Sequence, residues 1–534
     1  MRHGQRGADA RVPKTELFSY GRAEMRYVIT AEEMKYYDTA TIEEIGIPSL
    51  LLMERAAMEM TMEISKRLSK AVKVLILAGG GNNGGDALAV GRLLAEKGHK
   101  VSFWMPMGWE KVSVETGTQL HILKNMGFSI YDIFPEGEYD IIIDGLFGIG
   151  LTREVSGVCA KAIEKVNEIK EEGAFVASVD IPSGICADKG TVMGCAVKAD
   201  MTVTFAYAKA GHYFYPGKEY TGELMIKPIG ITAMPHRKIP SYLTADIETL
   251  HELLPVRKPD GNKGTFGKVL VFAGSRNMCG AALLCAGGVF AAGAGMVKIL
   301  THESNRVILQ ETLPEAMLLT YESQPDKNKL MEALDWADVI VAGPGIGISE
   351  QAEEIMEQLL SQSEMPFVAD ADGLNLLAES KRLQKAVLEY KQGNLVITPH
   401  PGELCRLIGC DIKTYQQDKR QAALTAEEKY HCIAVCKDAV TLISDDKGKQ
   451  VFLNHLGNDG MAVAGSGDVL AGVIGGFLAQ GLDCFHAAVA GVAVHGAAGG
   501  HAAKRMSRYA MKASDIIDCL GEVLKEAEEK RSFS

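Results

Sequence analysis

The chain has 534 residues, more than one domain usually holds, so at least two units with separate cores are expected. Charged residues are 23% and hydrophobic residues 47%, a balance that fits a folded globular protein and excludes a disordered one. The formal net charge of −12 argues against a general nucleic-acid or anionic-membrane binder, which needs a positive field.

Residues 1–24 are polar and Arg-containing, lack the apolar stretch of a secretory signal, and read as an N-terminal extension. Met25 opens a better-patterned segment. Apolar residues recur at helical spacing from Thr30 to Ile45 and again through GIPSLLLMERAAMEMTMEISKRL. Strands are expected at 72–79, 101–104, 140–144, 174–180 and 201–206, separated by helical segments. Such apolar strands alternating with helices predict a parallel sheet covered on both faces, with ligands bound at the carboxyl ends of the strands.

The segment 231–262 holds Pro235, Pro240, Pro255 and Pro259 and reads as a connection with one short helix over 246–254. A second α/β unit follows. Its strands are expected at 268–274, 296–301, 337–342, 366–370, 395–398 and 433–435, then a hairpin over 440–452 turning at DDKG. An amphipathic helix over 512–530 ends the chain. The eleven cysteines form no CxxC pair and no zinc spacing, which leaves reduced thiols and a cytoplasmic protein as the expectation. No stretch of about 20 uncharged apolar residues suggests a membrane span.

Glycine is the unusual residue, 57 of 534, above the usual ~7%. It gathers in loops at strand ends. GGGNNGGD (79–86) joins a strand to a helix N-terminus, where converging amides favour an anion. It is not a Walker A motif, and its two Asn and one Asp supply hydrogen-bonding groups that a plain turn does not need. Asp144 and Asp180 each close an apolar strand. Either acid alone reads as a cap; together with Asn83 and Ser183 they form an oxygen cluster suited to a hard cation. Lys209, in YAKAG, stands as a cationic partner for Asp180.

From Met25 to about Ile231 the chain resembles the NAD(P)H-hydrate epimerase (YjeF N-terminal) family. GIPSLLLMERAA, GGGNNGGD, IIIDGLFGIG, VDIPSG and TFAYAKAGHY carry the likeness in order. The resemblance implies a Rossmann-like three-layer sandwich over 25–238. It implies hydrate contacts from Asn82, Asn83, Gly84, Gly85 and Asp86, from Gly148, Ile149, Gly150, Leu151, Thr152, Arg153 and Glu154, and from Asp180. It further implies potassium held by Asn83, Asp144 and Ser183. Inverting a hydroxyl-bearing ring carbon beside the ring nitrogen needs an acid/base pair, and Asp180 with Lys209 are the expected members.

In the second unit, GNDGMAVAGSGD (457–468) enters an apolar helix with Asp468 in its first turn. Glycine-spaced amides there suit nucleotide phosphates, and the carboxylate suits a base for an acceptor hydroxyl; a simple helix cap is the competing reading. NKGTFG, GPGIG, DADG and TPHPGE are further strand-end loops, and His400 sits between two prolines in the last.

This half, 239–534, resembles the ribokinase-like NAD(P)H-hydrate dehydratase (YjeF C-terminal) family. The resemblance implies hydrate contacts at Ala281, Gly345, His400 and Asp468, with Asp468 as the catalytic base. It implies nucleotide contacts at Lys437, Asp438, Ala439, Val440, Thr441 and Gly467. The family usually has Gly where this chain has Asp438. Implied co-substrate and ion are ADP, or ATP in some members, and Mg²⁺. Together the halves resemble fused enzymes that repair hydrated NADH and NADPH (NADHX and NADPHX), act without nucleic acid or membrane, and form a homo-oligomer of four or more chains. Two other readings stay open: a small-molecule kinase fused to a non-catalytic nucleotide-binding module, and a binding module with a decayed first domain.

Overall fold

A computed structural model of the chain describes residues 26–231, 239–445 and 450–533. The extension at 1–24, the expected boundary at 238 and the tip of the DDKG turn lie outside the described residues. Among the described residues two sheets form, with helices on their faces, as the α/β expectation requires.

The smaller sheet has seven strands, all neighbours parallel. In spatial order they are Ile130–Tyr131, Lys100–Trp104, Lys73–Ala78, Ile141–Gly145, Phe175–Val179, Met201–Phe205 and Glu223–Lys227. The central strands are buried on both faces, which is why their sequences run apolar without alternation. The larger sheet has twelve strands. Seven run parallel: Met317–Tyr321, Met296–His302, Lys268–Phe272, Val339–Ala342, Phe367–Ala369, Leu395–Ile397 and Ile433–Cys436. The hairpin Thr441–Ser444 with Val451–Asn454 continues it antiparallel.

The sheet then accepts strands from distant sequence. Tyr242–Thr244 pairs with the hairpin, Arg26–Ile29 pairs antiparallel with Tyr242–Thr244, and Ala208–Lys209 pairs parallel with Arg26–Ile29. Hydrogen bonding therefore crosses the boundary drawn from sequence: two segments before residue 239 lie in the same sheet as the second unit. These strands of two to four residues are too short to show a period in the sequence. Ile130–Tyr131, Glu223–Lys227 and Met317–Tyr321 are strands beyond those expected from the sequence.

Two helices differ from expectation. The one expected over 30–45 is an α-helix only at Ala31–Ala40, where Thr30 and Glu33 form a capping box. It continues as a π-helical turn, Thr41–Ile45, closed by Gly46 at φ 86°. The one expected over 246–254 shortens to Leu250–Leu253. Asp246, its expected start, is instead drawn into an ion pair with Arg26, with His455 Nε2 3.3 Å from its Oδ1.

The Gly/Ala-rich helices explain much of the glycine. Helix Ser466–Ala479 packs on helix Cys279–Ala291 so closely that a Cβ at Gly472 would lie 2.0 Å from the Cys285 carbonyl oxygen. This is close packing of a buried helix pair, not looseness.

Candidate active sites

The first site is a cavity of about 400 Å³ at the carboxyl ends of the smaller sheet. Asn82, Asn83 and Asp86 reach it from the first turns of helix Asn82–Glu96, Gly148, Ile149 and Gly150 from the loop after Ile141–Gly145, and Asp180 from the end of Phe175–Val179. Gly84 and Gly85 stand behind that wall. A Cβ on Gly84 would lie 1.9 Å from the Gly79 carbonyl oxygen, so the turn requires glycine. Leu151, Thr152, Arg153 and Glu154 do not line the cavity; the last three are exposed, and Leu151 packs beneath helix Gly157–Glu171. Lys35, Asp38 and Glu115 do line it and were not read from the sequence. Lys35 and Asp38 lie on one face of helix Ala31–Ala40, a three-residue spacing that marks a shared side but not what that side meets.

Asp180 has φ 64°, a left-handed conformation uncommon outside glycine and often kept at functional sites. Its Oδ1 accepts from Lys209 Nζ at 2.5 Å and from Thr204 Oγ1 at 2.9 Å. Lys209 is fully buried. Its backbone N–H donates to His212 Nδ1 at 3.0 Å, so His212 carries its proton on Nε2, which donates to the Asp180 carbonyl at 2.9 Å. Burial opposes ionisation of Asp180, but the adjacent Lys209 ammonium outweighs it and holds the carboxyl below its ordinary pKa. Burial, aided by Lys209, pulls His212 down to about 4, so it is neutral at pH 7. Asp86 goes the other way. Burial, then the charges of Asp180 and Asp38, push its carboxyl well above the usual range. One cavity thus holds two carboxyls whose proton affinities are shifted in opposite directions.

Beside it, Asp144 is fully buried and accepts from Ser183 Oγ at 2.6 Å, Ser183 N–H at 2.9 Å and Ser178 Oγ at 2.8 Å. Burial still raises its pKa against these bonds. Phe147 N–H donates to Ser183 Oγ at 2.8 Å, and Asn83 Nδ2 donates to the Phe147 carbonyl at 3.0 Å. Asn83, Asp144 and Ser183 therefore meet around Phe147.

The second site lies at the carboxyl ends of the larger sheet. Gly465, at φ 90°, turns the chain into helix Ser466–Ala479, and Asp468 sits in its first turn. Burial, with Asp370 and Asp372 adding to it and Lys437 opposing, raises Asp468 to about 6. Lys437 Nζ donates to Asp370 Oδ1 at 2.6 Å. A Cβ on Gly467 would lie 3.1 Å from Lys437 Nζ, so the ammonium rests over the helix's amide end. Gly345, at φ 61°, lies against Ala281: a Cβ there would be 2.7 Å from the Ala281 Cβ.

His400 caps helix Pro401–Ile408. Its Nδ1 accepts from Gly402 N–H at 3.0 Å, which leaves the proton on Nε2, and its side chain is 51% exposed. Burial and then Lys437 lower its pKa. Val440 is buried in the core, so of 437–441 it can offer a nucleotide only backbone. Asp438 is held by Lys419 Nζ at 2.7 Å, Tyr415 OH at 2.9 Å and Ala439 N–H at 2.7 Å. Its charge is thereby answered from two neighbouring helices, Ile412–Gln417 and Lys419–Tyr430. Asp370 and Thr398, central here, carry no sequence signal of their own beyond the loops DADG and TPHPGE.

A family model described as YjeF-related protein N-terminus matches residues 49–211, and one described as NAD(P)H-hydrate dehydratase matches 269–521. The bifunctional NAD(P)H-hydrate repair enzyme Nnr of Moorella thermoacetica is 35% identical, over 94% of this chain and 98% of its own. Its namesake from Coxiella burnetii is 34% identical, over 89% and 94%. Among solved structures, an ADP/ATP-dependent NAD(P)H-hydrate dehydratase from Bacillus subtilis is 28% identical and covers 53% of this chain and 97% of its own, with a TM-score of 0.46. On the length and identity of these matches, the chain belongs to the family of bifunctional NAD(P)H-hydrate repair enzymes.

Proposed function

We infer that the chain repairs hydrated NADH and NADPH in two steps, one at each site. The carrying observation is the pair of unlike sites: Asp180 charge-paired with a buried lysine at one sheet, and Asp468 in the first turn of a glycine-led helix at the other.

In the first site the R and S hydrates interconvert. The ring nitrogen's lone pair forms a C=N bond as the C–O bond of the hydroxyl-bearing carbon breaks, and the leaving oxygen takes a proton. Water then adds from the other face and gives up a proton. Asp180, kept ionised by Lys209, is the acceptor. Asp86, whose hold on its proton is strengthened by burial and by the nearby carboxylates, is the donor within the same cavity. Amides of 82–83 and 148–150 hold the remainder of the hydrate. The oxygens around Phe147 (Asp144, Ser183 and the Asn83 amide) suit a monovalent cation: they are hard donors, one of them a buried carboxyl. Potassium there would steady the loop that carries Gly148 to Gly150.

In the second site Asp468 takes the proton of the hydrate hydroxyl, whose oxygen attacks the terminal phosphorus of ADP or ATP. The resulting phosphate ester leaves by C–O cleavage while the neighbouring carbon loses a proton, which restores the dihydropyridine. With ADP the products are NAD(P)H, AMP and phosphate. Ala281, Gly345 and His400 border the hydrate; Lys437, Gly467 and the backbone of 438–441 border the nucleotide. Among the described residues no group of three His, Cys, Asp or Glu side chains could hold a metal ion. Mg²⁺ would therefore be bound chiefly by the nucleotide's phosphates, whose charge it neutralises.

Leu51, Met58 and Met62 form an exposed apolar stripe on helix Ser49–Ser65, a face suited to a second copy of the chain. No helix among the described residues is long and apolar enough to cross a membrane. A cytoplasmic setting accords with eleven free cysteines.

The test supplies separated R and S hydrates with ADP or ATP and follows recovery of reduced-nicotinamide absorbance. Recovery of both epimers, with R lost in Asp180→Asn and both lost in Asp468→Asn, is expected. A phosphorylated product that accumulates without recovery would instead indicate a kinase.

A further inference from the structure

Asp370 is 1% exposed and follows strand Phe367–Ala369. Its Oδ1 accepts from Lys437 Nζ at 2.6 Å and from Thr398 Oγ1 at 2.7 Å. The three residues stand at the carboxyl ends of three successive strands, so the sheet itself spaces them. Their backbones are pinned as well. Asp370 N–H donates to the Ala342 carbonyl at 3.1 Å, and Lys437 N–H donates to the Pro399 carbonyl at 2.8 Å. Ala371, the next residue, is forced to φ 50°. Strain at a non-glycine residue persists only where its surroundings over-determine it.

The same few ångströms hold the helix end. From the position of a Cβ on Gly467, Lys437 Nζ lies at 3.1 Å and Asp370 Oδ2 at 3.7 Å. A carboxylate this close to an anion site repels a nucleotide. Its presence needs a compensating role, and the geometry supplies one: a flexible four-carbon ammonium is tied to one place over the helix amides.

We propose that Asp370 is a positioning residue of the second site, holding the Lys437 ammonium over the amide end of helix Ser466–Ala479 so that it meets the phosphoryl group in transfer. The assignment rests on the reading of that site as the dehydratase centre. Asp370 acts through a second route too. Asp468 feels Asp370 at the end of strand Phe367–Ala369, Asp372 at the start of helix Asp372–Glu379 and Lys437 after strand Ile433–Cys436, while the buried Cys285 thiol of helix Cys279–Ala291 keeps its proton. The Asp370 charge strengthens Asp468 as a base, and Lys437 limits that effect.

The test uses the full chain with the S hydrate and ADP or ATP, and compares wild type, Asp370→Asn, Thr398→Val and Asp468→Asn from pH 5 to 9. Melting curves establish that each variant is folded. For Asp370→Asn, kcat is expected to fall on the order of 10–100-fold, the scale of a displaced reacting group. The nucleotide KM does not fall, and the acid limb of kcat/KM moves to lower pH. Thr398→Val shifts kcat the same way by less, with the limb in place. Three results would overturn the proposal: wild-type kcat in Asp370→Asn, a lowered nucleotide KM with kcat kept, or an unmoved acid limb. Full activity in Asp468→Asn would instead remove the underlying reading of the site, a separate outcome.

Discussion

Lys209 reaches Asp180 across the join between the two sheets. Asp180 ends a strand of the smaller sheet, whereas Lys209 lies in Ala208–Lys209, paired to Arg26–Ile29 at the edge of the larger one. The charge pair at the first site therefore depends on strands from both sheets.

Removing Lys209 leaves a buried carboxylate without its cation. Lys209→Met is expected to lower stability by about 3–5 kcal/mol, the usual result of breaking a buried pair from one side. Epimer interconversion should fall on the order of 10²–10⁴-fold, the range for loss of acid/base function. Chromatography of the R and S hydrates measures the second effect, and denaturant unfolding the first. Asp180→Asn added to Lys209→Met should recover part of the stability and none of the activity.

Asp86 keeps its proton in the folded chain at pH values where an unfolded Asp, with pKa about 3.9, has lost it. Unfolding then releases a proton, so this residue makes stability fall as pH rises from about 4 toward its folded pKa. Asp86→Asn removes that penalty. Its melting temperature should exceed wild type by on the order of a few degrees at pH 7 and match it below about pH 4. Its epimerase activity should drop, because an amide offers no transferable proton.

Asp468 must be ionised to act as a base, and burial has raised it to about 6. The dehydratase kcat/KM should decline below that pH with unit slope and level off above it. Asp468→Asn should remove the limb together with the activity, by on the order of 10²–10⁴-fold. A profile flat down to pH 5 would exclude Asp468 as the base.

Gly467→Ala places a methyl group 3.1 Å from the present position of Lys437 Nζ. The ammonium sits at the end of a flexible chain, so it moves rather than the backbone. Stability should change by less than about 1 kcal/mol, as for most mild substitutions. The nucleotide KM should rise and epimerisation should continue at its wild-type rate; coupled assays of both steps in one preparation test this.

The apolar runs and glycine loops alone determined the α/β class, most of the parallel strands and the two glycine-led helix starts, and they pointed to Asp180, Lys209 and Asp468 as candidates. Those features follow from local pattern: unbroken apolar strands mean burial on both faces, and glycine before a helix means exposed amides. Which residues meet was decided only in three dimensions. The pairing of Arg26–Ile29 with both Tyr242–Thr244 and Ala208–Lys209 has no local signature, because strands this short carry no period. Lys35, Asp38 and Glu115 reach the first cavity, and Thr152–Glu154 do not, because of how a helix and a loop pack rather than which residues they contain. The opposite proton affinities of Asp86 and Asp180 arise from burial and from a lysine 29 positions away in sequence, both products of the tertiary fold.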